Sequence, residues 1–111
     1  MNSRPSVSVV VPTFNRTHLI NRALQSVVSQ THASLDLIVV DDGSTDDTCE
    51  RVHAVYPHAT LLSQSNQGGN AARNRGITAA RGDWIAFLES DDSWCESKIE
   101  QQLQALAKEP R

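Results

Sequence analysis

Two clusters of carboxylates each follow directly after an unbroken apolar run. Asp41 and Asp42 follow Leu-Ile-Val-Val at 37–40, and Glu-Ser-Asp-Asp at 89–92 follows Trp-Ile-Ala-Phe-Leu at 84–88. Carboxylate oxygens are the ligands that Mg²⁺ and Mn²⁺ prefer in proteins. If both runs are parallel strands, both acidic clusters reach the same edge of one sheet. The sequence therefore predicts an acidic crevice with a divalent cation as its candidate ligand.

The segments that must position these carboxylates alternate between strand and helix patterns. Strands are predicted at 7–11, where Pro12 is expected to stop the run, at 37–41, at 59–62 and at 84–88. Helices are predicted at 19–28, in a segment that follows the turn at 43–45 and ends at Val55, at 71–80, and in a last segment that contains Ile99. The expected N-terminal caps are Asn15 or Thr17, then Ser44 with Asp47, and finally Ser93 with Glu96.

The fold class follows from this alternation and from the near-continuous apolar character of the strands. Both features favour a mostly parallel sheet of about four strands with helices on both faces, joined by right-handed crossovers. The predicted class is α/β, Rossmann-like, with residues 1–111 as a single domain. Four such units make roughly half of a large nucleotide-binding domain, so an N-terminal piece of one is expected.

Composition argues against several other functions. The net charge of -3 gives no basic surface for nucleic acid. No apolar stretch approaches the length of a membrane span, and the opening residues lack the core of a signal peptide. Cys49 and Cys95 are isolated thiols, expected to be packing residues, and fit a reducing cytosol. We therefore expect a cytoplasmic protein, either free or peripheral at the inner face of the membrane.

Histidines and nucleotide-binding loops give no alternative site. The four histidines show no metal-binding spacing and are expected at the surface. No GxGxxG fingerprint and no phosphate-binding GxxxxGK[ST] loop occurs. Trp84 is expected in the core, whereas packing and sugar stacking are both open for Trp94.

Five motifs occur in a fixed order along the chain. They are Val-Val-Val-Pro-Thr-Phe-Asn-Arg at 9–16, Ser-Gln-Thr at 29–31, Val-Val-Asp-Asp-Gly-Ser-Thr-Asp at 39–46, Asn-Gln-Gly-Gly-Asn-Ala-Ala-Arg-Asn-Arg-Gly at 66–76, and Phe-Leu-Glu-Ser-Asp-Asp at 87–92. In this order they resemble the family 2 glycosyltransferases of GT-A fold. The resemblance covers nearly the whole chain and corresponds to the N-terminal, nucleotide-sugar-binding half of that domain.

The resemblance implies a donor site for a nucleotide-sugar, with a UDP-sugar as the expected donor and Mn²⁺ or Mg²⁺ beside its diphosphate. Asp91 takes the position of the second acid in the family's DxD motif and is the expected metal ligand. Glu89 stands where the family usually has Asp, and is expected to contact the metal or the ribose. Asp42 is expected at the base and Arg73 at a phosphate. The implied donor-binding residues are Pro12, Thr13, Phe14, Asn15, Asp41, Asp42, Arg73, Asn74, Glu89 and Ser90.

The resemblance also implies inverting transfer of a sugar to a hydroxyl of an unidentified glycan, lipid or protein acceptor. No catalytic residue is assigned, because the family's general base lies beyond the stretch that ends at Arg111. The chain is therefore expected to bind donor far better than it transfers sugar. An incomplete sheet would also leave an edge and an apolar face uncovered, so self-association is expected.

Two alternatives belong to other functional classes. A noncatalytic interaction module or pseudoenzyme on the same scaffold would ignore both UDP and Mn²⁺. A phosphoacceptor receiver domain matches in size, but its acidic pair should follow the first strand, where this chain has Pro-Thr-Phe-Asn at 12–15. Taken alone, Asp41 and Asp42 before Gly43 would also suit an ordinary turn.

Overall fold

The computed structural model describes residues 6–31 and 34–108. Strands and helices alternate through these ranges. The elements are β1 Val7–Thr13, α1 Ile20–Val28, β2 Leu35–Asp41, α2 Thr48–Val55, β3 Thr60–Ser63, α3 Gly69–Ala79, β4 Trp84–Phe87 and α4 Lys98–Lys108. Over the described residues the strands form one parallel sheet in the order β3-β2-β1-β4. The predicted α/β class is confirmed.

The two faces of the sheet are covered unequally, because alternate residues of each strand point to opposite sides. Val9 and Val11 of β1 belong to the larger apolar cluster, which includes residues of α1, α2 and α4. Val10 points to the other side, where α3 packs on β1 and β2. On that second side the β4 residues Ile85 and Phe87 remain 38% and 42% exposed. The second face is therefore covered over β1 and β2 but open at β4.

Pro12 does not stop β1, contrary to the prediction from sequence. The Val10 carbonyl accepts a hydrogen bond from Leu88 N, so this side of β1 faces β4, whereas the Thr13 carbonyl accepts from Asp42 N on the β2 side. Pro12 lies two residues after Val10 and therefore faces the β4 side, where strand pairing ends at Phe87. No ladder bond is required from the missing N–H, so the strand continues to Thr13.

The predicted N-terminal caps are wrong for the first two helices. α1 begins after Leu19 and α2 after Asp47, and neither boundary residue makes a side-chain capping hydrogen bond. The side chains of Asn15 and Ser44 instead join the loop after β1 to the loop after β2. Tertiary contacts between these loops therefore replace the local caps that the sequence suggested.

Other element boundaries differ by a few residues. α3 begins at Gly69 rather than at residue 71, and α4 begins at Lys98, well beyond the predicted cap at Ser93. β3 is shifted by one residue from its predicted range of 59–62. These differences move no strand or helix to another place in the fold.

The aromatic and sulfur side chains divide between core and surface. Trp84 and Trp94 both pack, partly buried, against the larger cluster. Cys49 is half-buried, but Cys95 is exposed, so the prediction that it packs inside is wrong. His18, His53 and His58 are exposed as predicted, whereas His32 and residues 1–5 lie outside the described ranges. Within those ranges no helix has the length and apolar character needed to cross a bilayer.

Candidate functional site

The carboxyl ends of β1, β2 and β4 bring the two acidic clusters to one edge of the sheet. Thr13 at the end of β1 pairs in register with Asp41 at the end of β2. On the other side of β1, the Leu88 amide donates to the Val10 carbonyl, and the 89–92 segment follows directly after Leu88. Because β1 lies between β2 and β4, both clusters flank its end. The crevice predicted from the strand order therefore exists.

A pocket of about 140 Å³ lies at this edge. The predicted site residues that line it are Pro12, Thr13, Phe14, Asp42, Arg73, Glu89 and Ser90. Sequence reasoning did not assign Arg16, Gly69 or Ala72, which complete the lining. Gly69 and Ala72 belong to the small-residue start of α3, and small side chains there let the helix approach the pocket. That local composition was the signal that would have found them.

Thr13 lines the pocket and carries a polar group without a partner among the described residues. Its side chain is 3% exposed, and its Oγ1 is the buried side-chain oxygen without a hydrogen-bond partner among the described residues. A buried hydroxyl without a partner costs free energy, so such a group usually has an unseen partner. Phe14, next in sequence, is 41% exposed at the same pocket. The end of β1 thus places an unpartnered, buried hydroxyl and an exposed aromatic ring at the wall of the pocket.

The Asp42 carboxylate is saturated with hydrogen bonds from the loop that precedes α3. Its Oδ1 accepts from Gln64 Nε2 and Gln67 N, both at 2.8 Å. Its Oδ2 accepts from Gly68 N at 2.9 Å and from Asn66 Nδ2 at 3.3 Å. Burial opposes its ionisation, but the bonds from Gln64, Gln67 and Gly68 hold the pKa of the Asp42 carboxyl below its ordinary value. Asp42 therefore organises this loop at the pocket wall.

Asp41 and Asn15 also hold loops rather than line the pocket. Asp41 is 3% exposed and accepts hydrogen bonds from the Ser44 amide and hydroxyl. Asn15 has a positive φ of 51° and accepts from Thr45 N at 2.8 Å. Asn tolerates this backbone region better than most residues, which allows the chain to turn sharply after β1. Asn15 thus ties the loop after β1 to the loop after β2, and Asp41 holds Ser44 within the second of these loops.

Arg73 and Glu89 form an ion pair at the pocket. The Nη2 of Arg73 lies 2.6 Å from Oε2 of Glu89, with the two side chains 33% and 54% exposed. A pair this exposed contributes little to stability, but it occupies the Glu89 carboxylate. Asn74, predicted beside Arg73, is exposed and does not line the pocket.

Asp91 has the uncommitted carboxylate of the acidic segment. Glu89 is paired with Arg73, and Oδ1 of Asp92 accepts from Ser93 N at 2.8 Å. Asp91 is exposed, and no hydrogen bond or ion pair joins its carboxylate to another described residue. Its backbone carbonyl, by contrast, accepts a hydrogen bond from Arg22 Nη2 at 3.0 Å. The backbone of Asp91 is held while its side chain remains available.

The donor set suits a cation that shares its ligands with a phosphate. Over the described ranges, no three His, Cys, Asp or Glu side chains lie together as a cation cage. Mg²⁺ and related ions commonly take one or two carboxylates and complete their shell with phosphate oxygens and water. The single free carboxylate of Asp91 fits that arrangement and does not fit a structural cage.

A larger pocket, of about 570 Å³, lies at the opposite edge of the sheet. Valines and leucines from the end of α1 and the start of β2 form much of its wall, together with Tyr56 and His58. Ligands of open α/β sheets bind at the carboxyl ends of the strands, which is the other edge. The smaller pocket, with its unpartnered Thr13 hydroxyl, is therefore the better candidate.

Comparison with known proteins identifies the family. The model of the family described as Glycosyl transferase family 2 matches residues 8–111. The chain belongs to this family. The resemblance predicted from the five motifs is thereby confirmed.

The relatives and solved structures to which this chain is similar are longer than it is. It is 41% identical over 95 residues to the uncharacterized glycosyltransferase YibD of Escherichia coli K12, which covers 83% of this chain and 28% of YibD. S. aureus TarS 1-349 in complex with UDP-GlcNAc superposes with a TM-score of 0.82 at 28% identity, over 93% of this chain and 31% of that one. The mannosyltransferase PcManGT of Pyrobaculum calidifontis, in complex with GDP-Man and Mn²⁺, gives a TM-score of 0.78 at 27% identity, over 97% and 34%. The chain thus spans about a third of the length of each of these proteins.

Proposed function

We propose that this chain binds the nucleoside diphosphate part of a sugar donor, with a UDP-sugar as the preferred donor, and that Mn²⁺ or Mg²⁺ is required for tight binding. In the whole protein, this site would serve inverting transfer of the sugar to an acceptor hydroxyl. The observation that carries the proposal is that two groups without partners among the described residues lie at the same edge of the sheet. They are the buried Thr13 hydroxyl and the exposed Asp91 carboxylate.

Each group suits a different part of the donor. The Thr13 hydroxyl and the exposed Phe14 ring can take a base, one by hydrogen bonding and the other by contact with its face. Asp91 can hold the cation, with Glu89 as a second carboxylate once it leaves Arg73. The cation, when bound, offsets the charge of the diphosphate and stabilises negative charge on the leaving group. Arg73 can donate to a phosphate oxygen, a role suited to its planar guanidinium.

Donor binding is proposed ahead of turnover for a geometric reason. Transfer to a hydroxyl needs a general base with a free acceptor atom near the reacting centre. Asp42 and Glu89 are the carboxylates that line the pocket, and both already accept hydrogen bonds. We therefore propose that the base and the acceptor site come from other residues of the whole protein. Mixing the chain with UDP-glucose, Mn²⁺ and simple acceptors should give slow hydrolysis at most.

The test is calorimetric titration of UDP into the chain with and without Mn²⁺. The wild type should bind UDP at least tenfold more tightly with the metal, a difference of about 1.4 kcal/mol. Asp91→Asn should remove that gain, because it converts the free carboxylate to a neutral amide of the same size. Asp92→Asn is the matched control, since an amide oxygen can still accept from Ser93 N. Thr13→Val should weaken UDP binding with and without metal, because it removes a hydroxyl and keeps the shape.

Each result decides between two functions. Binding that depends on Mn²⁺ in the wild type and in Asp92→Asn, but not in Asp91→Asn, supports the donor site. Binding of neither UDP nor Mn²⁺ by a folded sample contradicts it and favours the noncatalytic interaction module, for which the occupied Glu89 carboxylate is the specific observation.

We further propose that the chain self-associates through the open part of its sheet. Ile85 and Phe87 on β4 and Ile77 on α3 are 38%, 42% and 43% exposed. They lie on or beside the second face of the sheet, beyond the area that α3 covers on β1 and β2. A second copy that packs on this surface would remove these side chains from water.

A further inference from the structure

The Ser-Gln-Thr motif at 29–31 lies far in sequence from the acidic segment and does not line the pocket. It follows α1, which ends at Val28 and packs on the face of the sheet that carries the larger apolar cluster. Its side chains nevertheless reach across to the segment that follows Asp91.

Gln30 binds both sides of the start of α4. Its Nε2 donates to the Cys95 carbonyl at 2.7 Å, and to the Ser26 carbonyl of α1 at 2.9 Å. Its Oε1 accepts from Ile99 N at 3.0 Å. The amide groups in the first turn of a helix have no partner within the helix, so Gln30 satisfies one of them from outside. One half-buried side chain therefore fixes the start of α4 and the loop before it relative to α1.

Thr31, which follows Gln30, and Arg22, which precedes it in α1, also contact the chain between Asp91 and the first turn of α4. The Thr31 amide donates to the Glu96 carbonyl at 2.7 Å, and its hydroxyl donates to Glu100 Oε1 at 3.1 Å. Arg22 lies in α1, ahead of both residues in the chain, and its Nη2 donates to the Asp91 carbonyl at 3.0 Å. Arg22 of α1 thus holds the chain at Asp91, and the two residues Gln30 and Thr31 after α1 hold it from Cys95 to the first turn of α4.

We propose that Arg22, Gln30 and Thr31 are positioning residues that set the place of the Asp91 carboxylate relative to the pocket. We name them the α1 clamp. The inference rests on the proposed donor site, and it assigns a role to the Ser-Gln-Thr motif that the site itself does not explain. The Asp91 side chain has no described partner of its own, so the position of its carboxylate depends on its backbone. Groups that orient a metal ligand in this way commonly change metal affinity by tenfold or more.

The test compares clamp variants in the UDP titration with and without Mn²⁺. Gln30→Ala should reduce the Mn²⁺-dependent gain in UDP affinity on the order of tenfold and leave metal-free UDP affinity unchanged. Arg22→Ala is the second variant, because Arg22 is exposed on a helix and its loss should not unfold the chain. It should give a smaller loss, about threefold, which Arg22→Lys partly restores. Gln25→Ala is the matched control on α1, since its side chain contacts Ser29 and Tyr56.

Hydrogen–deuterium exchange gives a readout that needs no ligand. Amides of residues 89–97 should exchange faster in Gln30→Ala than in the wild type, whereas those of β1 and β2 should not change. A clamp variant that keeps the full Mn²⁺-dependent gain, with unchanged exchange at 89–97, overturns the α1 clamp and leaves the donor site intact. Absence of that gain in the wild type overturns the donor site and the clamp's role in metal binding together. Equal losses of affinity with and without metal would show general unfolding and also contradict the clamp.

Discussion

The replacement Asp42→Asn tests the carboxylate that organises the loop before α3. The amide keeps one acceptor oxygen and puts an NH₂ group where the other carboxylate oxygen stood. Two donors at that position, for example Gly68 N and Asn66 Nδ2, then face a donor instead of an acceptor. The negative charge that strengthens all of these bonds is also lost.

The magnitude follows from these contacts. Bonds to a charged acceptor are worth about 1.5–3 kcal/mol each, and an exposed loop recovers part of that loss from water. Gln67 and Gly68 are exposed, so a total cost of about 3 kcal/mol is expected at pH 7. For a chain of this size, 1 kcal/mol corresponds to roughly 4 °C in Tm, so Tm should fall by about 12 °C.

The loss should depend on pH in a defined direction. The pKa of Asp42 is lowered on folding, below the ordinary value of 3.8, so its contribution to stability is complete above that value. The contribution disappears as the pH falls through the lowered pKa, because the folded state must then bind a proton. The gap between wild type and Asp42→Asn should therefore be constant above about pH 5 and narrow as the pH falls below about 4.

The assay is thermal unfolding followed by circular dichroism between pH 3 and pH 8. Asp83→Asn is the control, an exposed aspartate at the other edge of the sheet whose side chain accepts from Ser6 N at 3.1 Å. It should change stability by at most about 0.5 kcal/mol. Equal Tm values for wild type and Asp42→Asn at pH 7, or a gap that persists unchanged at pH 3, would refute this account of the loop.

Two further variants test packing and association. Gly76→Ala should lower the free energy of unfolding by about 1 kcal/mol, since its Cβ would lie 2.3 Å from Cγ1 of the buried Val10 and the strain exceeds the gain in helix propensity. The control is Gly69→Ala, whose Cβ would meet only the flexible end of the Arg73 side chain. A Gly76→Ala variant that is more stable than the wild type in thermal unfolding would contradict the predicted clash. Light scattering should detect dimers or larger species of the wild type that Phe87→Ser reduces, and a monomer at all concentrations would exclude self-association through the β4 face.

The order of the elements could be predicted from the sequence because burial on both faces leaves its mark on each strand. Near-continuous apolar runs such as 37–40 indicated parallel strands, and helical spacing between them indicated crossovers. Since parallel strands end at the same edge, the convergence of the two acidic clusters followed from the pattern alone. The family was predicted separately, from the resemblance of five motifs, three of which contain the end of a strand.

The use of each polar side chain could not be predicted in this way, because hydrogen-bond partners come from segments far apart in the chain. The residues Asn15 and Ser44 resemble local caps in the sequence, but the loops that meet at the sheet edge use them for each other. The sequence also contained the Gln30 motif without indicating its partners, which lie on α4 and the loop before it.

Sequence alone determined that carboxylates would gather at one edge, because strand direction and apolar pattern are local properties of the chain. Only the tertiary structure decided which carboxylates remain available. Asp42 is saturated by the loop before α3, Glu89 is paired with Arg73, and the Asp91 carboxylate has no partner among the described residues. The reason is physical: a carboxylate has few acceptor positions, and whichever donors folding brings within about 3 Å occupy them first.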